Sequence, residues 1–187
     1  MAAKAPAGNG EAAYRVRRSG VHGLGVFAVR AIRKGTRIIE YLGDRITHGE
    51  ADRRYEDHEE HDNHTFLFSV DRTLVIDAGV GGNEARFINH SCEPNCESVI
   101  EQRRVFIDAL RDIRPGEELS YDYQIGRERN DPPDVDQIYA CRCGSARCRG
   151  TMLWPPRRPY ARRKARASAA SAAARPRTSA ARRKRSS

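Results

Sequence analysis

The sequence has no apolar run near the roughly 20 residues that span a bilayer, which excludes a membrane helix. Residues 1–13 are rich in alanine and glycine but lack the apolar centre of a secretory signal, and they read as a flexible leader. Cysteine is scarce and odd in number: there are five, three of them crowded into Cys141–Cys148. That count argues against an extracellular disulfide framework and for a reducing, intracellular compartment. No segment repeats at the periods of a solenoid. Asp and Glu are missing altogether from Pro155 to Ser187.

What is present is a chain of 187 residues with 34 Lys+Arg, 25 Asp+Glu and a formal net charge of +9. By itself that balance describes a nucleic-acid binder. Its distribution describes something else. Residues 155–187 hold 12 of the bases and no acid, so residues 1–154 carry 22 bases against 25 acids, a net of −3. The excess belongs to an appendage of Ala, Arg, Ser and Pro. With too little apolar surface to offset ordering entropy, 155–187 is expected to be a disordered basic tail. Its arginines suit phosphate contacts, so nucleic acid is an expected partner of this arm. The body is long enough for one domain with a core, not for two large ones.

Short β-prone runs fill the body: Tyr14–Arg18, Val26–Ile32, Arg37–Tyr41, Thr65–Val70, Thr73–Asp77, Val99–Ile100, Arg104–Leu110 and Glu118–Tyr123. Glycine-rich turns separate the early ones. Residues 48–62 are polar and helix-compatible, and 126–138 read as a charged, proline-containing linker. The expected class is mostly β, a β-rich α+β fold. Within 44–62 there are eight acids and three arginines, a net of −5. His58, His61 and His64 lie there, interleaved with acids; they read as a solvated polar face, not a metal site.

Cys141-Arg-Cys143-x4-Cys148 places three thiols within eight positions. Cys-x-Cys is too tight for an unstrained disulfide but suits convergence on one ion. A closed structural zinc site needs a fourth ligand. Cys92, Cys96 and the histidines are the available choices.

Four further motifs stand in order: His22-Gly-Leu-Gly-Val-Phe-Ala28, Glu40-Tyr-Leu-Gly43, Arg86-Phe-Ile-Asn-His-Ser-Cys-Glu-Pro-Asn-Cys96 and Gly116-Glu-Glu-Leu-Ser-Tyr-Asp-Tyr123. With the cysteine segment they resemble SET-domain protein lysine methyltransferases that carry a post-SET zinc module. The likeness runs from about Tyr14 to Leu153. It is nearest to trithorax-like, chromatin-type members, and a bacterial member also fits. The resemblance implies a SET fold of several small sheets around a pseudoknot. It places the SET domain at 14–125, a variable insert at 44–64 and the zinc module at 139–154.

The resemblance also implies S-adenosylmethionine and Zn2+ as cofactors. Tyr123 corresponds to the catalytic tyrosine, Tyr41 to a second channel tyrosine, and Tyr121 to a position held by Tyr or Phe. A hydroxyl at Tyr121 takes space, so mono- or dimethylation is expected. Gly23, Gly25, Arg86, Asn89, His90, Tyr123 and Met152 are the implied cofactor contacts. Cys92, Cys141, Cys143 and Cys148 are the implied zinc ligands, leaving Cys96 as a separate thiol. One departure concerns the adenine: Thr151 stands where the family often has an aromatic cover, and Met152 or Trp154 is the expected substitute.

The implied function is methyl transfer from S-adenosylmethionine to a lysine ε-amine in a basic protein, a histone or a nucleoid-type protein. An acidic insert would form one wall of its groove. The contrasting reading is a non-catalytic zinc-containing adaptor with a nucleic-acid arm. Lys164 and Lys184, in Ala-Arg-Arg-Lys contexts, are additional candidates for self-methylation. A monomer, in the nucleus or in bacterial cytoplasm, is the expected state.

Overall fold

The computed structural model describes residues 12–56, 65–129 and 131–155. His58, His61, His64, Lys164, Lys184 and the basic tail from 156 lie outside them. The first hairpin pairs β1 (Tyr14–Arg18) with β2 (Leu24–Ala28) in antiparallel register, Val16 opposite Val26. β3 (Arg37–Tyr41) follows, then β4 (Asp44–Ile46), α1 (His48–Tyr55), β5 (Leu67–Ser69) and β6 (Val75–Asp77). A short 3-10 turn at Glu84–Phe87 leads into β7 (Asn89–His90). β8 (Cys96–Glu101) and β9 (Arg104–Ala109) form a long hairpin. The rest is β10 (Ser120–Tyr121), β11 (Ile125–Gly126), α2 (Val135–Ile138) and β12 (Leu153–Trp154).

These strands make five small sheets: β1–β2, β3–β9–β8, β4–β6–β5, and two parallel pairs, β7–β10 and β11–β12. The expected fold class therefore holds. The apolar positions explain the arrangement. β9 is the central strand of its sheet, and Val105 and Ile107 are fully buried. They pack in one cluster with Val26, Ile76, Ile88, Ile113 and Leu119, which gathers residues from nearly every sheet. Short strands with little pairing of their own are held by this shared burial.

Several elements differ from the sequence expectations. β2 stops at Ala28, and Ile32 makes only an isolated bridge to Ile113. The charged run Asp44–Ile46 forms a strand, pairing with β6. Residues 126–138, read as a linker, begin in β11 and contain α2, whose Val135 is buried. α1 starts where Thr47 caps it, its hydroxyl accepting from the Glu50 amide at 3.2 Å.

The insert is tied down by a carboxylate that sequence reading did not single out. Asp77 is buried, and its oxygens accept from Tyr55 Oη at 2.9 Å, Arg54 Nη1 at 2.9 Å and the Gly79 amide at 2.9 Å. A buried carboxylate with three donors satisfied is stable where an unpaired one is not. Among the described residues no helix is long and apolar enough to cross a membrane.

Candidate active site and metal centre

The parallel pair β7–β10 sets Asn89 beside Ser120 and His90 beside Tyr121. Asn95 locks the pair from behind. It is buried, donates from Nδ2 to the Glu118 carbonyl at 2.8 Å, and accepts at Oδ1 from the Ser120 amide at 2.9 Å. The result is that two motifs about thirty residues apart in sequence meet at one seam.

Three tyrosines converge at that seam. Tyr121 and Tyr123 have ring centroids 4.9 Å apart, and Phe68 bridges Tyr121 at 6.3 Å to Tyr41 at 5.4 Å. The Tyr41 hydroxyl donates to the Phe66 carbonyl at 3.0 Å, and the Tyr123 hydroxyl donates to the Ile88 carbonyl at 2.8 Å. Burial raises the pKa of all three phenols, so each stays a neutral hydroxyl and none supplies a phenolate base. Phe66 meets Phe87 edge-on at 6.0 Å, and the Arg86 guanidinium lies 4.7 Å from the Phe87 ring. Arg86 donates to the Ala78 carbonyl at 3.0 Å, which makes it a support of this aromatic wall. Sequence reading placed the tyrosines here but missed Phe66 and Phe68. Their period-two spacing was the available signal.

The glycine-rich turn is fixed to the same seam. Asn89 Nδ2 donates to the Leu24 carbonyl at 2.9 Å, to the His22 carbonyl at 3.3 Å and to Glu118 Oε1 at 2.8 Å. Ser19 Oγ also donates to Glu118 Oε1, at 2.7 Å. Glu118, absent from the sequence-based site, is the hub on which Ser19 and Asn89 meet. Gly25 must be glycine for this reason: a Cβ there would lie 2.2 Å from Glu118 Oε1. Gly23 instead needs its left-handed φ of +45°. Gly25→Ala is expected to destabilise the protein by about 1–3 kcal/mol by displacing Glu118. Denaturant unfolding measures this, and unchanged stability would show that the carboxylate moves aside freely.

Cys92, Cys141, Cys143 and Cys148 come together, all four sulfurs within 4.8 Å of one another. Cys92 Sγ lies 3.7 Å from Cys141 Sγ and 4.0 Å from Cys148 Sγ. Tetrahedral thiolates on zinc, at ~2.3 Å each, stand about 3.8 Å apart, so the set fits that ion. Backbone amides already point at the sulfurs: Cys143 N at Cys141 Sγ (3.4 Å), Gly150 N at Cys148 Sγ (3.4 Å) and Arg149 N at Cys92 Sγ (3.5 Å). Burial pushes the Cys92 thiol up to about 11, whereas Cys143, against its own burial, is held down to about 6 by hydrogen bonds from backbone amides and Ser145. Cys96 is buried elsewhere in the core and bonds Asn95 Oδ1 at 3.4 Å.

The metal centre and the tyrosine seam share a polar circuit. His90 Nδ1 accepts from the Tyr123 amide at 3.2 Å, which puts the ring proton on Nε2, 3.4 Å from Cys92 Sγ. Burial pushes the His90 imidazole down to about 4, against the pull of Asp122 beside it. Asp122 is in turn gripped bidentately by Arg149, Nη1–Oδ2 at 2.7 Å and Nη2–Oδ1 at 2.6 Å. The guanidinium also donates to the Met152 carbonyl at 3.3 Å and lies 5.4 Å from the Trp154 ring. Thus Met152 is half-buried and braced through its backbone, Thr151 is buried, and Trp154 is exposed.

The insert is less acidic here than its full count. Residues 44–56 hold four acids and three arginines, and the other four acids fall in 57–62, outside the described residues. Arg54 pairs with Asp44, Glu50 and Asp77, and Arg53 with Glu50.

Comparison with known proteins gives a consistent answer. A sequence profile described as the SET domain matches residues 23–124. Over 136 residues, 71% of this chain, the sequence is 41% identical to the histone-lysine N-methyltransferase trithorax of Drosophila virilis, covering 3% of that protein. Over 140 residues, 72% of this chain, it is 41% identical to the H3 lysine-4 specific histone-lysine N-methyltransferase of Saccharomyces cerevisiae, covering 13% of it. A solved structure, ctPRC2 in an autoinhibited conformation bound to S-adenosylmethionine, is similar with a TM-score of 0.56 and 32% identity. That likeness covers 59% of this chain and 15% of the other. The chain thus spans only a small part of the curated relatives' length.

Proposed function

The chain belongs to the SET domain family, and from that membership and the seam just described we propose that it is an S-adenosylmethionine-dependent protein-lysine N-methyltransferase. The observation that carries the reading is the convergence of Tyr41, Tyr121 and Tyr123 on the strand pair bearing Asn89 and His90. S-adenosylmethionine supplies a methyl group on a sulfonium. The chain's own residues do the rest. Gly23, Gly25, Asn89 and His90 form the cofactor side, with Arg86, Tyr123 and Met152 at its margins. The three neutral phenols and Phe68 wall off the lysine side from water.

An incoming lysine, with an ordinary pKa near ~10.4, must arrive as the free amine. No phenolate is there to take its proton, so the proton leaves to solvent. Desolvation by the aromatic lining then favours the neutral amine. Orientation and water exclusion supply the rate, not base strength.

The substrate in this reading is a lysine in a basic protein, a histone or a nucleoid-type protein, and the site of action is the chromosome. Relatives named as histone-lysine N-methyltransferases support it. The degree of methylation follows from Tyr121, which is buried against Tyr123. Its hydroxyl occupies space a further methyl would need, so mono- and dimethyl products are expected. Tyr121→Phe should shift the product toward trimethyllysine, read by mass spectrometry. Trimethyl product from the native chain would contradict the assignment. The function itself is tested by calorimetric titration of the zinc-loaded protein with S-adenosylmethionine. Saturable binding is expected, and its absence overturns the enzyme reading in favour of a zinc-containing adaptor.

A further inference from the structure

The folded body carries a basic cleft that plays no part in the site above. Its two walls are drawn from residues 31–34 and 110–117, joined by reciprocal backbone bonds between Ile32 and Ile113 at 2.9 and 2.8 Å. Its volume is about 990 Å³. Arg33, Lys34, Arg111 and Arg114 line it against two acids, Asp112 and Glu117.

Both acids are engaged in building the walls. Asp112 Oδ1 accepts from the Lys34 amide at 2.8 Å, and Glu117 Oε1 accepts from the Arg114 amide at 3.0 Å. Glu117 Oε2 pairs with Arg111 at 2.8 Å. Among the described residues no carboxylate lies within ion-pair distance of the side chains of Arg33, Lys34 or Arg114. This contrasts with the insert and the β3–β9 sheet, where Arg37, Arg53, Arg54, Arg103 and Arg104 all meet acids. Arg17, donating to the Gly116 carbonyl at 3.1 Å, extends the positive face past the cleft's end. A local excess of cations on a body of net −3 is a specific feature, not an average one.

We propose that this cleft binds the phosphate backbone of a duplex nucleic acid. Guanidinium and ammonium groups free of carboxylate partners are the groups that displace phosphate counterions. The cleft is open, its two turn-rich walls meeting at the Ile32–Ile113 bridge, and its cationic side chains stand exposed to a large polyanion. No aromatic residue lines it, so it offers no stacking platform for unpaired bases, which favours a duplex over a single strand. The site adds to whatever the basic tail contributes and is separate from methyl transfer.

The test uses the full chain and a variant with Arg33→Ser, Lys34→Ser and Arg114→Ser, all exposed positions. Binding to a duplex of about 20 base pairs is followed against salt concentration, with duplex DNA and duplex RNA as separate arms. The slope of log affinity against log salt should fall by about 3, roughly 0.9 for each phosphate no longer neutralised. The tail is present in both proteins, so the difference reports the cleft alone. Methylation of a free basic peptide should be unchanged between them. Equal slopes for parent and variant overturn the proposal. Binding of a glutamate-rich peptide of matched charge that is lost in the variant while duplex binding is kept also overturns it, by making the cleft a dock for an acidic protein.

Discussion

Tyr123→Phe is expected to lower kcat by about a hundredfold while leaving zinc content and cofactor affinity nearly unchanged. The substitution keeps the ring, so the packing against Tyr121 at 4.9 Å and His90 at 5.4 Å survives. The Tyr123 amide still reaches His90 Nδ1, because that bond is made by backbone. Only the hydroxyl disappears, and with it the donor to the Ile88 carbonyl at 2.8 Å. The stability cost is that of one buried acceptor left unpaired, about 1–3 kcal/mol. The catalytic cost is larger, because misplacing reacting groups by about 1 Å loses on the order of a hundredfold in rate. Single-turnover methylation of a basic peptide, alongside calorimetry with the cofactor, separates the two. Full activity in the variant would show that the methyl group is transferred elsewhere.

Cys148→Ser, or stripping the metal with a chelator, is expected to abolish activity and to weaken cofactor binding by at least about a hundredfold. Structural zinc sites with thiolate ligands are worth about 10–16 kcal/mol of folding free energy. Here that energy holds a long-range junction together, since Cys92 is over forty residues upstream of the other three ligands. Losing it releases the amide of Arg149 from Cys92 and loosens the Arg149–Asp122 fork. Asp122 stands between Tyr121 and Tyr123, so the disturbance reaches the seam directly. Metal release followed by a colorimetric chelator, together with cofactor titration before and after adding zinc back, checks both halves. A zinc-free protein that binds cofactor as tightly as the native chain would refute the coupling.

The parts of the site legible in the sequence are those that sit inside one continuous motif. Asn89, His90 and Cys92 are neighbours along the chain, as are Tyr121 and Tyr123, and the cysteine segment announces itself by spacing alone. Cys92 as fourth ligand came from the resemblance; spacing left Cys96 and the histidines open. What escaped notice depends on pairings between distant segments. Glu118 lies within a recognised motif, yet its partners Ser19 and Asn89 are on two other elements. Asp77 reads as the polar end of a strand until Tyr55 and Arg54 are seen to fold over it. The fold class was legible from many short β-prone runs. The strands β4, β11 and β12 were not, because two or three residues are too few to show a period of two. The tyrosine channel is half legible: its tyrosines stand inside motifs, while Phe66 and Phe68 lie in a β-prone run with no motif around them.

The parallel pair β11–β12 has an evolutionary consequence. Ile125 opposite Leu153 and Gly126 opposite Trp154 clamp the two ends of the stretch 127–152 side by side. The chain between them is a closed loop whose exit and return are set by the clamp, and by the zinc ligands within it, not by its length. Doubling a loop costs only about 0.6 kcal/mol in closure entropy. Residues 127–134, ahead of α2, can therefore lengthen or shorten among related proteins at little thermodynamic cost. The cysteine spacing and the last few residues before Trp154 have no such latitude, and length variation in this family should concentrate on the near side of α2.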